Sequence, residues 1–183
     1  MRLEVKEGVR GCTLINDSYN SDFNSLDIAL DFMSRRPDHN GRRRTLILSD
    51  IYQSGEAQGL LYSKVSQLAL NRGVQKFIGV GKALKDNSSE IHIPECYFFD
   101  DVASFTASEV FRDLHDELIL VKGSRTFGFD YIAELLEQKV HETILEVNLN
   151  ALVDNYNYYR SLMKPETKLV CMVKADAYGA GAV

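Results

Sequence analysis

The chain has 183 residues, 45% of them hydrophobic and 26% charged, with a formal net charge of −5. That balance supports a buried core and excludes a disordered or collagen-like chain. The well-mixed charge, with Arg42-Arg43-Arg44 as its one basic run, argues against a nucleic-acid-binding surface and reads as a solvated loop.

No stretch approaches the roughly 20 apolar residues of a membrane-spanning helix, and the charged opening is no signal peptide. The three cysteines, Cys12, Cys96 and Cys171, are far apart and lack metal-site spacing. They read as reduced thiols, and the chain as cytoplasmic, with no metal site of its own.

In chain order, Leu3-Glu4-Val5-Lys6 followed by Gly8 predicts a short antiparallel strand. From Cys12 to Lys139, apolar runs alternate with helical patterns. The runs are Thr13-Leu14-Ile15, Leu46-Ile47-Leu48, Phe77-Ile78-Gly79-Val80, Tyr97-Phe98-Phe99 and Leu118-Ile119-Leu120-Val121. Each is continuous rather than alternating, as in parallel strands covered on both faces.

Leu26, Ala29, Leu30 and Met33 mark one helix; Leu61, Val65, Leu68 and Ala69 mark a second, ending at Gly73. Ala107, Val110, Phe111 and Leu114 predict a third, and Phe129, Ile132, Ala133 and Leu136 a fourth. The fold class expected is α/β, a Rossmann-like doubly wound and mostly parallel sheet.

A polar junction near 140–142 separates a first domain, 1–140, from a second, 141–183. There residues 144–148 predict a strand. Leu152, Tyr156, Tyr159 and Met163 predict a helix ended by Pro165, and residues 169–173 another strand.

Ligands of an open α/β sheet bind beyond the carboxyl ends of its strands. Following the runs here are Asn16-Asp17, Ser49-Asp50, Gly81-Lys82, Asp100-Asp101 and Lys122-Gly123-Ser124-Arg125. Loop polarity and helix capping suffice for Lys82 and Asp100-Asp101.

Two of the other segments carry more. The stretch from Asn16 to Ser25 resembles the Asp-x-Tyr-Asn-Ala-Asn-Pro-x-Ser opening of the C-terminal domain of the Mur ligases, closest to their D-alanyl-D-alanine-adding branch. Val121-Lys122-Gly123-Ser124-Arg125 is similar to its Lys-Gly-Ser-Arg loop, and Leu48 to Gly55 resembles its Gly-Asp-Met-x-Glu-Leu-Gly turn. The three stand in the family's order.

The resemblance implies ATP-dependent amide formation. A carboxylate of a UDP-MurNAc-peptide is activated as an acyl-phosphate, with Mg2+ present, and the amine of D-Ala-D-Ala displaces phosphate. Asp17, Tyr19 and Asn20 would face the nucleotide. Asp50, Lys122, Ser124 and Arg125 would face substrate groups, with Arg125 suited to bidentate contact. Asp22-Phe23 stands where the family has Asn-Pro, and Ser49 where it has glycine. No G-x-x-x-x-G-K-[ST] loop occurs, so the family's ATP-cradling domain is expected elsewhere in a longer protein, and this chain alone is expected to be inactive.

The second region resembles the alanine racemases. Glu146-Val147-Asn148-Leu149-Asn150-Ala151-Leu152 is similar to their opening, and Lys174-Ala175-Asp176-Ala177-Tyr178-Gly179 to their lysine motif at the start of a (β/α)8 barrel. The resemblance implies that Lys174 holds pyridoxal phosphate and acts as a base, with Tyr178 on the cofactor phosphate. Ala180 replaces a frequent histidine. The whole reads as part of a fused cell-wall enzyme, whose racemase would make the D-alanine that D-Ala-D-Ala requires.

The alternative is a phosphoacceptor, receiver-like signalling domain. It needs an acidic pair after the first strand and an acceptor aspartate after the third, where this chain has Asn16-Asp17 and Gly81. A dinucleotide fold is weaker, since Leu84 stands at the third glycine position of Gly79-Val80-Gly81.

Overall fold

Continuous apolar runs become parallel strands here because helices cover both faces of the sheet they form. The structure is a computed structural model; it describes residues 3–36, 41–51, 55, 57–138, 147–174 and 177. The chain divides into two compact units, Met1–Lys139 and Val140–Val183.

The first unit holds β1 (Glu4–Glu7), β2 (Thr13–Asp17), β3 (Arg43–Ser49), β4 (Lys76–Val80), β5 (Glu95–Phe99) and β6 (Glu117–Lys122). They form a six-stranded sheet in the order β1-β2-β6-β3-β4-β5. Neighbours from β2 to β5 are parallel, and β1 runs antiparallel to β2.

Helices α1 (Phe23–Ser34), α2 (Gln58–Asn71), α3 (Lys82–Asp86), α4 (Val102–Thr106) and α5 (Glu109–Arg112) connect the strands, and α6 (Phe129–Leu136) follows β6.

Period-two alternation sends successive strand side chains to opposite faces. Leu46 and Leu48 enter a core with Leu26, Leu30 and Met33 of α1 and Leu61 and Val65 of α2. Ile47, between them, enters the other core with Phe105, Phe111, Phe129 and Ile132. The predicted faces of α1 and α6 are wholly buried: Leu26, Ala29, Leu30 and Met33 in one, Phe129, Ile132, Ala133 and Leu136 in the other. Helix α2 stops at Gly73, whose N–H returns to Leu70 while that of Val74 returns to Ala69.

Of the predicted third helix, marked by Ala107, Val110, Phe111 and Leu114, only Glu109–Arg112 is helical, and a separate short helix, α4, precedes it. Asp101 starts α4 with a reciprocal cap to Ser104, and the Ser108 hydroxyl accepts the Phe111 N–H to start α5. Ser108 caps a new helix just after α4 has ended, so Ala107 and Phe111 share no helix. Helix α3 is too short to show a period in the sequence.

In the second unit, α7 (Leu149–Ser161) starts at Asn148, whose side chain accepts the Ala151 N–H. Residues 169–173, predicted as a strand, carry no strand ladder. A strand exists only through pairing, and no strand of the second unit is present among the described residues to pair with it. Of the other predicted strand, residues 144–146 lie outside the described residues.

Phe129 is wholly buried and fills the core under β6. Phe129→Ala is expected to lower unfolding free energy by about 3–5 kcal/mol, measured by urea denaturation, with the sheet retained.

Candidate functional site

The sheet changes direction at β6. Strands β2 and β3 lead into α1 and α2 on one face, while β6, lying between them, leads to α6 on the other. Such a divergence opens a crevice at the carboxyl ends of the strands, where α/β proteins bind ligands. Ladder register decides what meets there: Asp17 lies opposite Lys122, and Lys122 opposite Leu48. Asp17, Ser49-Asp50 and Lys122 to Arg125 therefore share one rim.

The floor of the rim is a buried ion pair. Lys122 is 0% exposed and Asp17 3%. The ammonium lies 3.1 Å from Asp17 Oδ2 and donates to the backbone carbonyl of Asn20. The contact with Asp17 lies outside hydrogen-bond geometry, so that oxygen has a charge partner but no hydrogen bond. We treat the pair as electrostatic, because two opposite charges this close and this buried attract whatever the donor angle.

From this floor rise two loops. Tyr19 and Asn20 are exposed on the first, and Arg125 on the second. The Arg125 guanidinium sits 5.1 Å from the centre of the Tyr19 ring, which joins the loops by a cation–π contact. Ser124 donates its N–H to the Ser49 hydroxyl at 3.3 Å, and its own hydroxyl accepts the Thr126 N–H. Gly123 is a matter of space: a Cβ there would lie 2.1 Å from the Phe129 ring.

Asp50 is turned inward. Its carboxylate accepts the N–H groups of Ala83 at 3.1 Å and Leu84 at 2.8 Å, at the start of α3. Gly81 has φ +149°, and a Cβ on it would meet that carboxylate at 2.3 Å, so the turn admits only glycine. Of the residues singled out in the sequence, Tyr19, Asn20, Ser124 and Arg125 thus line the outer rim, whereas Asp17, Asp50 and Lys122 lie beneath it. Lys174 is exposed in the second unit, and Tyr178 lies outside the described residues.

Sequence reasoning named Ser49 and Asp22 only as departures from the family pattern and gave neither a role. Ser49 links the ends of β3 and β6, and a serine in place of a glycine was the available signal. Asp22 caps α1 through the Ser25 N–H at 2.9 Å and also accepts from the Ser25 hydroxyl at 2.6 Å. Burial pushes the Asp22 carboxyl up, but the Ser25 hydrogen bonds and the Lys122 charge outweigh it and hold the pKa below the ordinary value.

A cleft of about 580 Å3 opens at the opposite, amino end of the strands, among Arg43, Lys76, Glu95, Tyr97 and Glu117. Its buried charges satisfy each other. Lys76 meets Glu117 at 3.3 Å, and Glu117 accepts the Thr45 hydroxyl. We favour the carboxyl rim as the site because two loops leaving neighbouring strand ends bring the exposed Tyr19 and Arg125 together there, at the divergence of the sheet.

Residues 147–183 match the family model "Alanine racemase, N-terminal domain". The chain is 25% identical over 126 residues to UDP-N-acetylmuramoyl-tripeptide--D-alanyl-D-alanine ligase of Escherichia coli (strain K12), covering 68% of this chain and 27% of that protein. It is 34% identical over 73 residues to a broad specificity amino-acid racemase of Vibrio vulnificus (strain CMCP6), covering 35% of this chain and 18% of that protein. The chain joins a Mur-ligase-like segment to an alanine-racemase-like one.

Among solved structures, MurF of Acinetobacter baumannii superposes with a TM-score of 0.55 at 17% identity, covering 75% of this chain and 30% of that one. A domain assigned to a UDP-N-acetylmuramate:L-alanyl-gamma-D-glutamyl-diaminopimelate ligase of Haemophilus ducreyi gives 0.53 at 14% identity, covering 73% and 97%. At these identities the likeness is one of fold. The chain spans about a quarter of the ligase relative's length and a fifth of the racemase relative's. Among the described residues no helix is long and apolar enough to cross a membrane.

Asp22→Ala is expected to cost about 1 kcal/mol of stability at neutral pH. Because the folded pKa lies below the unfolded one, the carboxylate's contribution is complete above the unfolded value of about 3.9 and is lost as pH falls through the folded value. Denaturation of both proteins at pH 7 and near pH 2 checks this: the difference should shrink in acid.

Proposed function

We propose that the first unit is the closing domain of a peptidoglycan-precursor ligase, and that the second begins a pyridoxal-phosphate-dependent alanine racemase. The single observation that supports the ligase half most is the outer rim. Tyr19, Asn20, Ser124 and Arg125, from the two ligase-like loops, converge at the switch point of the sheet.

The rim suits a nucleotide. A planar guanidinium with several donors matches phosphate oxygens, the Tyr19 ring offers a flat apolar face, and Asn20 can both donate and accept. ATP would be held chiefly by another domain of the longer protein, with this unit closing over it. A peptide carboxylate of UDP-MurNAc-peptide is then activated as an acyl-phosphate, and the amine of D-Ala-D-Ala displaces phosphate. In that step Arg125 stabilises negative charge on the transferred phosphoryl group, and closure excludes water. For Mg2+ the described residues offer no cluster of three or more His, Cys, Asp or Glu, so no step is assigned to a metal held by this chain.

In the second unit Lys174 is the residue to hold pyridoxal phosphate, and its exposed amine fits a carbonyl partner. The cofactor, when bound, supplies the electron sink that loosens the α-proton of alanine. The lysine Nζ takes up or returns that proton. D-alanine, the product, is the building block of the dipeptide that the ligase half would consume, which makes the two halves chemically consecutive in the cytoplasm.

Titrating the isotope-labelled chain with ATP is expected to shift the amide resonances of Tyr19, Asn20, Ser124 and Arg125. Arg125→Ala should weaken binding about ten- to a hundredfold, the worth of a hydrogen bond to a charged group. Shifts confined to the cleft at the amino end of the strands, or none at millimolar nucleotide, would contradict the reading. Pyridoxal phosphate is expected to react with Lys174 only weakly, because the chain spans only 18% of the racemase relative's length. A tight, saturable absorbance change lost in Lys174→Ala would overturn that expectation.

A further inference from the structure

Lys122 is the natural candidate for a phosphate-binding cation, yet its surroundings give it another task. It is 0% exposed, and its ammonium points into the protein, at the Asn20 carbonyl and the Asp17 carboxylate. A cation facing outward would show part of its ammonium to solvent. Both of its contacts lie instead on β2 and the loop that follows.

From this geometry we infer that Lys122 is a positioning residue, a strut from the end of β6 that fixes the course of residues 18–22 and so presents Tyr19 and Asn20 at the rim. The consequence for nucleotide recognition rests on the proposed ligase reading; the strut itself does not.

Three observations support it. First, among the described residues the loop is tied at its two ends and, at Tyr19, by the Arg125 guanidinium. Asn16 accepts the Ser18 N–H at 3.2 Å at its start, and Asp22 enters α1 at its end. Between these ends the Lys122 ammonium holds the backbone of Asn20, the residue at the exposed crest. Second, the Asp17–Lys122 contact has ion-pair distance without hydrogen-bond geometry. The ammonium's hydrogen bond goes to the Asn20 carbonyl, so Asp17 balances the charge while Asn20 takes the directional bond. Third, the same charge helps hold Asp22 ionised at the N-terminus of α1. One buried cation thus acts on the floor, the crest and the far end of the loop.

The alternative is that Lys122 merely neutralises Asp17, leaving the loop to hold itself. The two differ when both charges are removed together. Breaking one side of a buried pair leaves an uncompensated charge and is strongly destabilising, whereas removing both is often tolerated. Simple neutralisation predicts that the double variant Asp17→Asn/Lys122→Met behaves like wild type throughout. A strut predicts that its fold recovers but its loop does not, because methionine cannot donate to the Asn20 carbonyl.

The test is backbone NMR relaxation on the 183-residue chain as wild type, as Lys122→Met and as the double variant, with amide order parameters read in residues 18–22 and in β2, β3 and β6. The wild-type loop should be as rigid as the strands, near 0.85, and should fall below about 0.6 in the double variant while the strands stay rigid. If Lys122→Met folds, it should show the same local loss; if it does not fold, the double variant carries the comparison. Loop order parameters that stay at the wild-type value in the double variant would overturn the inference, as would a wild-type loop already below 0.6. ATP titration of the wild type runs beside it. An ATP-silent but rigid loop that loosens in the double variant leaves the strut standing and removes the nucleotide reading.

Discussion

Everything at the carboxyl rim depends on one buried ion pair between the last residues of two neighbouring strands. Burying a single charge at a sheet end is unfavourable by several kcal/mol, so Asp17 of β2 and Lys122 of β6 must meet. The parallel ladder puts them opposite each other. A one-residue slip of β6 would send Lys122 to the other face of the sheet. It would also pull Gly123 away from the Phe129 ring, against which only glycine fits. Charge pairing, register and core packing therefore select the same alignment. The two loops that leave these strands begin from fixed points, and the Tyr19–Arg125 contact lies where they converge.

The two ends of the sheet treat charge differently. At the amino end, Lys76, Glu117 and Thr45 form a buried set, and Lys76 also meets the partly exposed Glu95 at 3.7 Å. At the carboxyl end the buried pair is covered by a layer of exposed polar side chains, Tyr19, Asn20 and Arg125. A hollow alone does not identify a site. Exposed polar groups also line the amino-end cleft, among them Glu109, Asp113 and His115, so the rim is favoured for its place at the divergence of β6 from β2 and β3.

Much of this was legible in the residues. The five continuous apolar runs from Thr13 to Val121 each became a parallel strand, because two-sided burial leaves no polar face to interrupt them. The faces of α1 and α6 were readable for a related reason: both helices are long enough to repeat the helical period against the core. The division of α4 from α5 was not readable, since Ser108 looks like any helical serine until its hydroxyl is seen capping Phe111. The inward turn of Asp50 was equally hidden, because its partners in α3 lie some thirty residues further along the chain. Residues 169–173 show the complementary limit: apolar sequence proposes a strand, but only a pairing neighbour makes one. Motif order likewise pointed to Mur-ligase-like and racemase-like segments in succession, but it could not say which motif side chains face outward.

The burial of Lys122 is the point on which this account turns, and lysine footprinting measures it directly. The folded chain would be treated with an amine-reactive acylating reagent and the modified sites mapped by mass spectrometry. Lys82 and Lys85, both exposed on α3, serve as internal standards. The account predicts that these two react readily while Lys122 stays unmodified until the protein is unfolded. Modification of Lys122 at a rate comparable to theirs would mean that its ammonium faces solvent, and the rim would then have to be rebuilt with Lys122 as a direct ligand contact.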